Sequence, residues 1–139
     1  MTDLKSTVKD LPANEKEWRE RLTPEQYNIL RKSGTEGPFT GAYVDVDDDG
    51  MYHCAGCGNP LFDSATKFHS GSGWPSFTEA VDPNAVELHK DRSLFMTRTE
   101  VRCARCHSHL GHVFDDGPAD RGGQRYCING CALTLDKAE

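Results

Sequence analysis

The sequence lacks any long apolar run. None of its 139 residues belongs to an apolar stretch that approaches the roughly 18 residues of a membrane-spanning helix. Its polar start, MTDLKSTVKDLPANEKEW, contains no apolar segment followed by a cleavage site. A membrane partner is therefore not expected, and we predict an unexported protein of the cytoplasm.

An excess of positive charge is also missing. The chain has 16 Lys and Arg against 22 Asp and Glu, a formal net charge of −6. Because nucleic-acid binding draws much of its affinity from a basic surface, nucleic acid is not an expected partner. Repeats and low-complexity tracts are absent too, and the length fits one domain. We predict a mobile N-terminal arm over residues 1–13 and a single monomeric domain over residues 14–139.

Two short helices are predicted to follow the arm. The first carries apolar residues four positions apart, and the second begins with a capping box in which Pro follows the N-cap and Gln stands three positions after it. A glycine ends the second helix. The residues concerned are Trp18 and Leu22 in the first helix and Thr23, Gln26, Tyr27, Leu30 and Gly34 in the second.

Beyond Gly41 the apolar pattern changes to period two, which predicts strands separated by Gly, Pro and Asp clusters. A hairpin is expected first, followed by four further strands. We predict a mainly β fold, mostly antiparallel, with the helices at its periphery. The predicted strands are Tyr43–Val46, Met51–Cys54, Val86–His89, Leu94–Val101, His112–Phe114 and Tyr126–Leu135.

The chain is rich in cysteine, and four of its six cysteines form two C-x-x-C pairs. Cytosolic thiols stay reduced, so such pairs indicate metal binding or redox chemistry rather than a disulfide framework. A two-residue spacer lets two thiolates reach one tetrahedral zinc ion, and four thiolates leave no open position for catalysis. We predict one structural zinc; reduced core cysteines or a redox pair are the alternative. The predicted ligands are Cys54, Cys57, Cys103 and Cys106.

Cys127 lies in a predicted strand with Arg125 and Asn129 two residues to either side. Alternation along a strand places all three side chains on one face. A neighbouring cation favours the thiolate, which is the nucleophilic form of cysteine. From these residues alone, a nucleophile and an inert strand cysteine are both open interpretations.

Two other segments carry groups suited to chemistry. The segment His107-Ser108-His109-Leu110-Gly111-His112 is dense in imidazoles, which transfer protons near neutral pH. The loop Gly71-Ser72-Gly73-Trp74-Pro75 holds an indole that can form the wall of a pocket for a methyl or thioether group. The alternatives are hydrogen-bonded structural histidines and an aromatic cover over the core.

The motifs CAGCG, SGSGWPSF, MTRTEVRCARCHSHLGHVFDDGP and QRYCIN, in this order, closely resemble the B class of methionine sulfoxide reductases, the methionine-R-sulfoxide reductases. The resemblance covers the chain from about Glu15 to Leu135. It implies two antiparallel β-sheets with helices at the edge and a structural zinc on the four C-x-x-C thiolates. It also implies peptide-methionine (R)-S-oxide reductase activity on oxidised proteins.

Carried over by position, the resemblance makes Cys127 the catalytic cysteine. The thiolate would attack the sulfoxide sulfur and become a sulfenic acid as methionine leaves. His109 and His112 would support proton transfer. Arg125, Asn129 and Asp116 would orient the network of polar groups around the thiol. Trp74 would contact the substrate methyl group.

The chain departs from this family at Ser72, where many members have a second, resolving cysteine. Two routes for recycling the sulfenic acid are therefore open. Cys131 can act as the resolving cysteine if the chain bends sharply between it and Cys127, or an external thiol such as thioredoxin, glutaredoxin or a small thiol can attack directly. A non-catalytic zinc-stapled binding module and a Cys–His hydrolase are the competing classes of function.

Overall fold

A computed structural model of the chain describes residues 11–12, 14–32, 34, 49–68, 73–91 and 98–137. Its strands form two antiparallel sheets, a three-stranded one in the order β2-β1-β9 and a six-stranded one in the order β3-β4-β8-β7-β6-β5. The mainly β fold predicted from the sequence is confirmed. The strands are β1 Gly50–Cys54, β2 Pro60–Asp63, β3 Lys67–Phe68, β4 Ser76–Phe77, β5 Val86–Asp91, β6 Arg98–Cys103, β7 His109–Phe114, β8 Arg125–Ile128 and β9 Leu133–Lys137.

Several predicted features lie outside the described residues. They are most of the arm over residues 1–13, the predicted strand Tyr43–Val46, residues 94–97 of the predicted strand Leu94–Val101, and Ser72.

Helices α1, Glu15–Arg21, and α2, Pro24–Lys32, precede the sheets. The predicted capping box of α2 is present: the Gln26 backbone N–H donates to Thr23 Oγ1 at 3.1 Å, and the Thr23 N–H donates to Gln26 Oε1 at 3.0 Å. Trp18 and Leu22 are buried, α2 buries Ile29 and Leu30, and Tyr27 is half-buried against the core. Tyr27 and Leu30, the apolar residues of the second helix named from the sequence, thus both pack against the core, and α2 packs on β7.

The predicted strand Tyr126–Leu135 is wrong as a single element. A 3₁₀ turn over Gly130–Ala132 divides it, so that β8 belongs to the larger sheet and β9 to the smaller one. The turn is closed by the Ala132 N–H, which donates to the Asn129 carbonyl at 3.0 Å. Asn-Gly is a strong turn dipeptide, and here it carries the chain from one sheet to the other.

Aromatic side chains from both sheets form the core between them. Phe62 of β2 stacks on Phe77 of β4 with ring centroids 4.5 Å apart, and Tyr52 of β1 meets the edge of Phe77 at 5.2 Å. Tyr126 of β8 completes the group at 5.7 Å from Phe62. Alternation then sends the neighbours of Tyr126, Arg125 and Cys127, to the opposite face of the larger sheet.

Candidate active site and metal centre

The four predicted metal ligands come together in two turns of the same construction. In each turn the first cysteine donates its N–H to the carbonyl five residues later, Cys54 to Asn59 at 2.9 Å and Cys103 to Ser108 at 2.9 Å. The carbonyl of that cysteine accepts from the residue four positions later, Gly58 or His107, at 2.8 Å in both turns. Those two residues have left-handed backbone conformations, with φ of 81° and 62°. Glycine adopts this conformation readily, whereas His107 adopts it at a cost.

The sulfur atoms of these turns fit a tetrahedral thiolate site. All four lie within 4.8 Å of one another and are buried. The Cys54 and Cys106 sulfurs are 3.7 Å apart, and those of Cys57 and Cys103 are 3.6 Å apart. A tetrahedron with metal–sulfur bonds of about 2.3 Å has edges of about 3.8 Å, which matches these separations. Four buried cysteines can therefore hold a structural metal ion, and the cluster joins the smaller sheet to the larger one.

Hydrogen bonding among the four thiols divides their pKa values into two groups. Hydrogen bonding with Cys103 lowers the pKa of Cys57 to about 7, and hydrogen bonding with Cys103 and Cys54 lowers the pKa of Cys106. Hydrogen bonding with Cys103 raises the pKa of Cys54, and hydrogen bonding with Cys106 raises that of Cys103. Arginines reach both turns from the helices. Arg21 donates to the Gly56 carbonyl at 3.0 Å, and Arg31 donates to the Cys106 carbonyl at 3.0 Å. These cations offset part of the negative charge that four thiolates carry.

A cleft of about 240 Å³ opens on the polar face of the larger sheet. Five residues singled out from the sequence line it together: Trp74, His112, Arg125, Cys127 and Asn129. Three residues that the sequence analysis did not single out complete the lining: Arg98, Gly111 and Phe114. The structure thus brings the candidate thiol, an imidazole, a cation and an indole to one site, while their roles in a reaction stay predictions.

The strand register explains this arrangement around Cys127. His112 of β7 is the direct partner of Cys127 on β8, so the two side chains stand beside each other on one face. Glu100 of β6 is in turn the partner of His112. A carboxylate, an imidazole and a thiol therefore occupy one row across three adjacent strands.

A β-bulge brings His109 to the same face as His112. Side chains three positions apart on a regular strand point to opposite faces. The partners of β6 shift between Val101, which pairs with Gly111, and Arg102, which pairs with His109, so Leu110 is an extra residue. The two imidazole rings consequently meet edge to face with centroids 5.4 Å apart.

His109 is buried behind the cleft rather than on its wall. Only 4% of it is exposed, and its Nδ1 lies 2.6 Å from Glu100 Oε2. Burial lowers the pKa of His109, although Glu100 opposes the shift. Arg102 Nε donates to the other oxygen of Glu100 at 2.8 Å. His109 is therefore neutral near pH 7 and is bound to a carboxylate.

Arg125 stands between Asp116 and the cleft. Its Nε and Nη2 donate to the two carboxylate oxygens of Asp116 at 2.8 and 3.2 Å, and its guanidinium lies 4.5 Å from the centroid of the Phe114 ring. The hydrogen bonds lower the pKa of Asp116 and raise that of Arg125, and Cys127 contributes to the second shift. Asp116 does not line the cleft; it contacts Arg125, which lies near enough to Cys127 to favour its thiolate.

Asn129 has a structural contact besides its place in the cleft. Its Nδ2 and its backbone N–H both donate to the carbonyl of Leu110, at 3.0 and 2.9 Å. Leu110 is the extra residue of the bulge, so Asn129 holds the feature that aligns His109 with His112. Cys131 lies in the 3₁₀ turn after β8, half-buried against the core.

The sequence pattern around Glu100 and Arg98 could have marked them as candidate site residues. In Arg98-Thr99-Glu100-Val101-Arg102, charged residues alternate with others at period two, which predicts one charged face. A strand was predicted over Leu94–Val101. The residues that its charged face contacts depend on how it pairs with β7, and this pairing cannot be predicted from the strand's own sequence.

Fold and site together define an antiparallel β protein with a buried four-cysteine cluster that can hold a metal ion and a half-buried cysteine in a cleft. A family model described as the SelR domain matches residues 22–137. The match covers well over half of the chain, which therefore belongs to the SelR domain family.

Proteins named peptide methionine sulfoxide reductase MsrB are similar over nearly the whole chain. The one from Agrobacterium fabrum is 53% identical over 136 residues, 98% of either chain. The one from Leifsonia xyli subsp. xyli is 58% identical over 120 residues, 86% of either chain. The one from Methanosarcina mazei is 54% identical over 126 residues, 91% of this chain and 89% of its own.

Similarity to a solved structure extends to the fold alone. The Mis18 "Yippee-like" domain matches 66% of this chain and 98% of its own length, with a TM-score of 0.52 and 20% identity.

Among the described residues, no helix has the length and apolar character needed to cross a membrane.

Proposed function

We propose that this protein reduces methionine sulfoxide in oxidised proteins, acting on the R epimer with Cys127 as the nucleophile. The observation that carries the proposal is the position of Cys127 in the cleft, opposite His112 and close to Arg125. The names and identities of the similar proteins support the substrate class.

The chemistry follows from the groups around the thiol. Arg125 favours the Cys127 thiolate, which attacks the sulfoxide sulfur. A proton delivered through His112 reaches the sulfoxide oxygen, which then passes to the Cys127 sulfur: the S–O bond to the substrate sulfur breaks and an S–O bond to Cys127 forms. Methionine is released, reduced by two electrons, and Cys127 is left oxidised as a sulfenic acid. Trp74 contacts the methyl group on one side of the cleft while His112 lies on another, so one hand of the chiral sulfoxide fits.

Recycling consumes two equivalents of thiol, and we propose that an external thiol supplies them. The first thiol displaces water from the sulfenic acid to form a mixed disulfide, and the second releases Cys127. Thioredoxin, glutaredoxin and small thiols are the proposed reductants. Resolution by Cys131 is the alternative: the 3₁₀ turn bends the chain between the two cysteines, so the separation expected along an extended strand does not apply.

We further propose zinc as the metal held by Cys54, Cys57, Cys103 and Cys106, because a buried set of four thiolates suits this soft divalent ion. Its contribution is structural and supplies no catalytic step. We propose a monomer of the cytoplasm, with one domain over residues 14–139 and an arm over residues 1–13.

The decisive test is turnover of separate R and S epimers of a methionine-sulfoxide peptide with dithiothreitol. We expect reduction of the R epimer by the wild type, no turnover by Cys127→Ser, and activity retained in the matched variant Cys131→Ser. Turnover of the S epimer alone, or activity in Cys127→Ser, would contradict the proposal.

Recycling is tested with dimedone, which traps the sulfenic acid. If an external thiol resolves it, Cys131→Ser and the wild type give equal amounts of Cys127 adduct. An internal disulfide in the wild type, lost in Cys131→Ser with more adduct, would assign resolution to Cys131.

A further inference from the structure

We infer that Glu100 is a positioning residue of the proposed reductase. Held by Arg102, it fixes His109 in the tautomer that carries its proton on Nδ1, and through His109 it determines the setting of His112 opposite Cys127. The inference rests on the proposed function, since the reaction is what the positioned histidines serve.

The contacts form a continuous series behind the cleft. Arg102 Nε lies 2.8 Å from Glu100 Oε1, and His109 Nδ1 lies 2.6 Å from Glu100 Oε2. The His109 ring then meets the His112 ring edge to face at 5.4 Å. Glu100 and His109 are only 7% and 4% exposed, so water competes little for these bonds.

The tautomer follows from the chemistry of the partner. An ionised carboxylate only accepts hydrogen bonds, so Nδ1 of His109 must donate to Glu100. In the neutral ring Nε2 is then the acceptor. This buried Nε2 has no hydrogen-bond partner among the described protein atoms. An unsatisfied buried nitrogen costs free energy, and a hydrogen bond accepted from a water molecule would offset that cost.

Arg102 determines which ring the Glu100 carboxylate faces. Glu100 is the cross-strand partner of His112, so its carboxylate could also turn toward that ring. Because Arg102 occupies one oxygen, the other is presented to His109. The charged and titratable groups around His109 are Glu100 and Arg102 on β6, His112 on β7, and Arg31 of α2 and His107, which line a small cavity with it. Glu100 is the only acid that hydrogen-bonds His109 among the described residues.

The test compares Glu100→Gln and Glu100→Asp with the wild type. Gln has one acceptor oxygen for two donors, so either Arg102 or His109 loses its bond, whereas Asp keeps both oxygens and shortens the side chain by one methylene. We expect Glu100→Gln to lower kcat on the R epimer by roughly ten- to hundred-fold, the range found when the group that orients a functional histidine is removed. KM should stay within about two-fold, and Asp should restore part of the rate.

Nitrogen-15 NMR of the histidine rings supplies a readout that a merely structural role would not move. The wild type should show His109 as the Nδ1–H tautomer, and Glu100→Gln should show a mixture. The matched control is Glu87→Gln, which alters an exposed acid bonded to His107 and His89 on the same sheet and should leave kcat and the His109 signal unchanged.

Wild-type kcat and an unchanged tautomer in folded Glu100→Gln would overturn the inference. It would also be overturned if Gln and Asp lost rate equally and only in proportion to the unfolded fraction. Should the wild type fail to reduce either epimer, the proposed function fails, and the tautomer measurement still decides whether Glu100 fixes His109.

Discussion

Replacing Gly111 with alanine should damage both the stability of the protein and the geometry around Cys127. Gly111 lies on β7 and pairs with Ile128 of β8. A Cβ built at this position falls deep inside van der Waals contact with the Cys127 carbonyl oxygen and lies 2.9 Å from Ile128 Cα. Those neighbours are backbone atoms, so a side-chain rotation cannot relieve the clash.

The size of the effect follows from the displacement required. Carbon atoms in good contact are about 3.5–4.0 Å apart, so β7 and β8 must separate by roughly 0.6 Å or more. Overpacking of this kind costs about 1–3 kcal/mol. The two hydrogen bonds from Asn129 to the Leu110 carbonyl adjoin the clash, and losing them adds about 1 kcal/mol each. We therefore expect Gly111→Ala to lower the free energy of unfolding by about 3–5 kcal/mol.

The rate of turnover should fall by more than the loss of folded protein explains. The displaced strands carry His112 and Cys127, and a misplacement of about 1 Å in a catalytic arrangement can cost roughly a hundred-fold in rate. Urea unfolding gives the stability, and kcat on the R epimer, corrected for folded fraction, gives the rate. Gly122→Ala is the control: its Cβ meets nothing within 4 Å, and only its φ of 99° is strained. Wild-type stability and rate in Gly111→Ala would refute the reasoning.

Three further predictions concern the metal, the Asp116 ion pair and the cleft wall. Chelation should lower Tm by more than about 10 °C in calorimetry, because a structural thiolate site contributes free energy comparable to that of the whole domain, and Cys57→Ser should abolish bound metal in elemental analysis. Arg125 lowers the pKa of Asp116 in the folded protein. The wild type should therefore be more stable than Asp116→Asn above about pH 4, and this difference should disappear as the pH falls through the lowered pKa. Equal dependence of the two proteins on pH in urea titrations would contradict this. Trp74→Ala should raise KM for the sulfoxide peptide roughly ten-fold or more with a smaller change in kcat, and an unchanged KM would remove the indole from substrate binding.

The metal cluster could be predicted from sequence because its geometry is local. Each C-x-x-C turn closes within six residues, and its spacing already dictates that two sulfurs point at one ion. One detail could not be predicted from the C-x-x-C pattern. The left-handed position is a glycine in the first turn, Gly58, but His107 in the second, so composition alone does not mark it.

The placement of His109 could not be derived from alternation. A spacing of three puts His109 and His112 on opposite faces of a regular strand, and only the bulge at Leu110 reverses this. The bulge is held by Asn129, which lies 19 positions away in the sequence, directly after β8. Glu100 was missed for the same reason, since its partners are set by the register of β6 against β7.

The proposed metal site takes no part in the proposed reaction of the Cys127 thiol, but the chain connects the two sites. The turn that carries Cys103 and Cys106 is the link between β6 and β7, so it sets the register that places Glu100 beside His109 and His112. The other turn is tied to the strand of the nucleophile, because the Ala55 N–H donates to the Ala132 carbonyl at 2.8 Å in the segment that follows β8. Loss of the metal would therefore loosen the cleft from two sides, even though no ligand of the metal lines it.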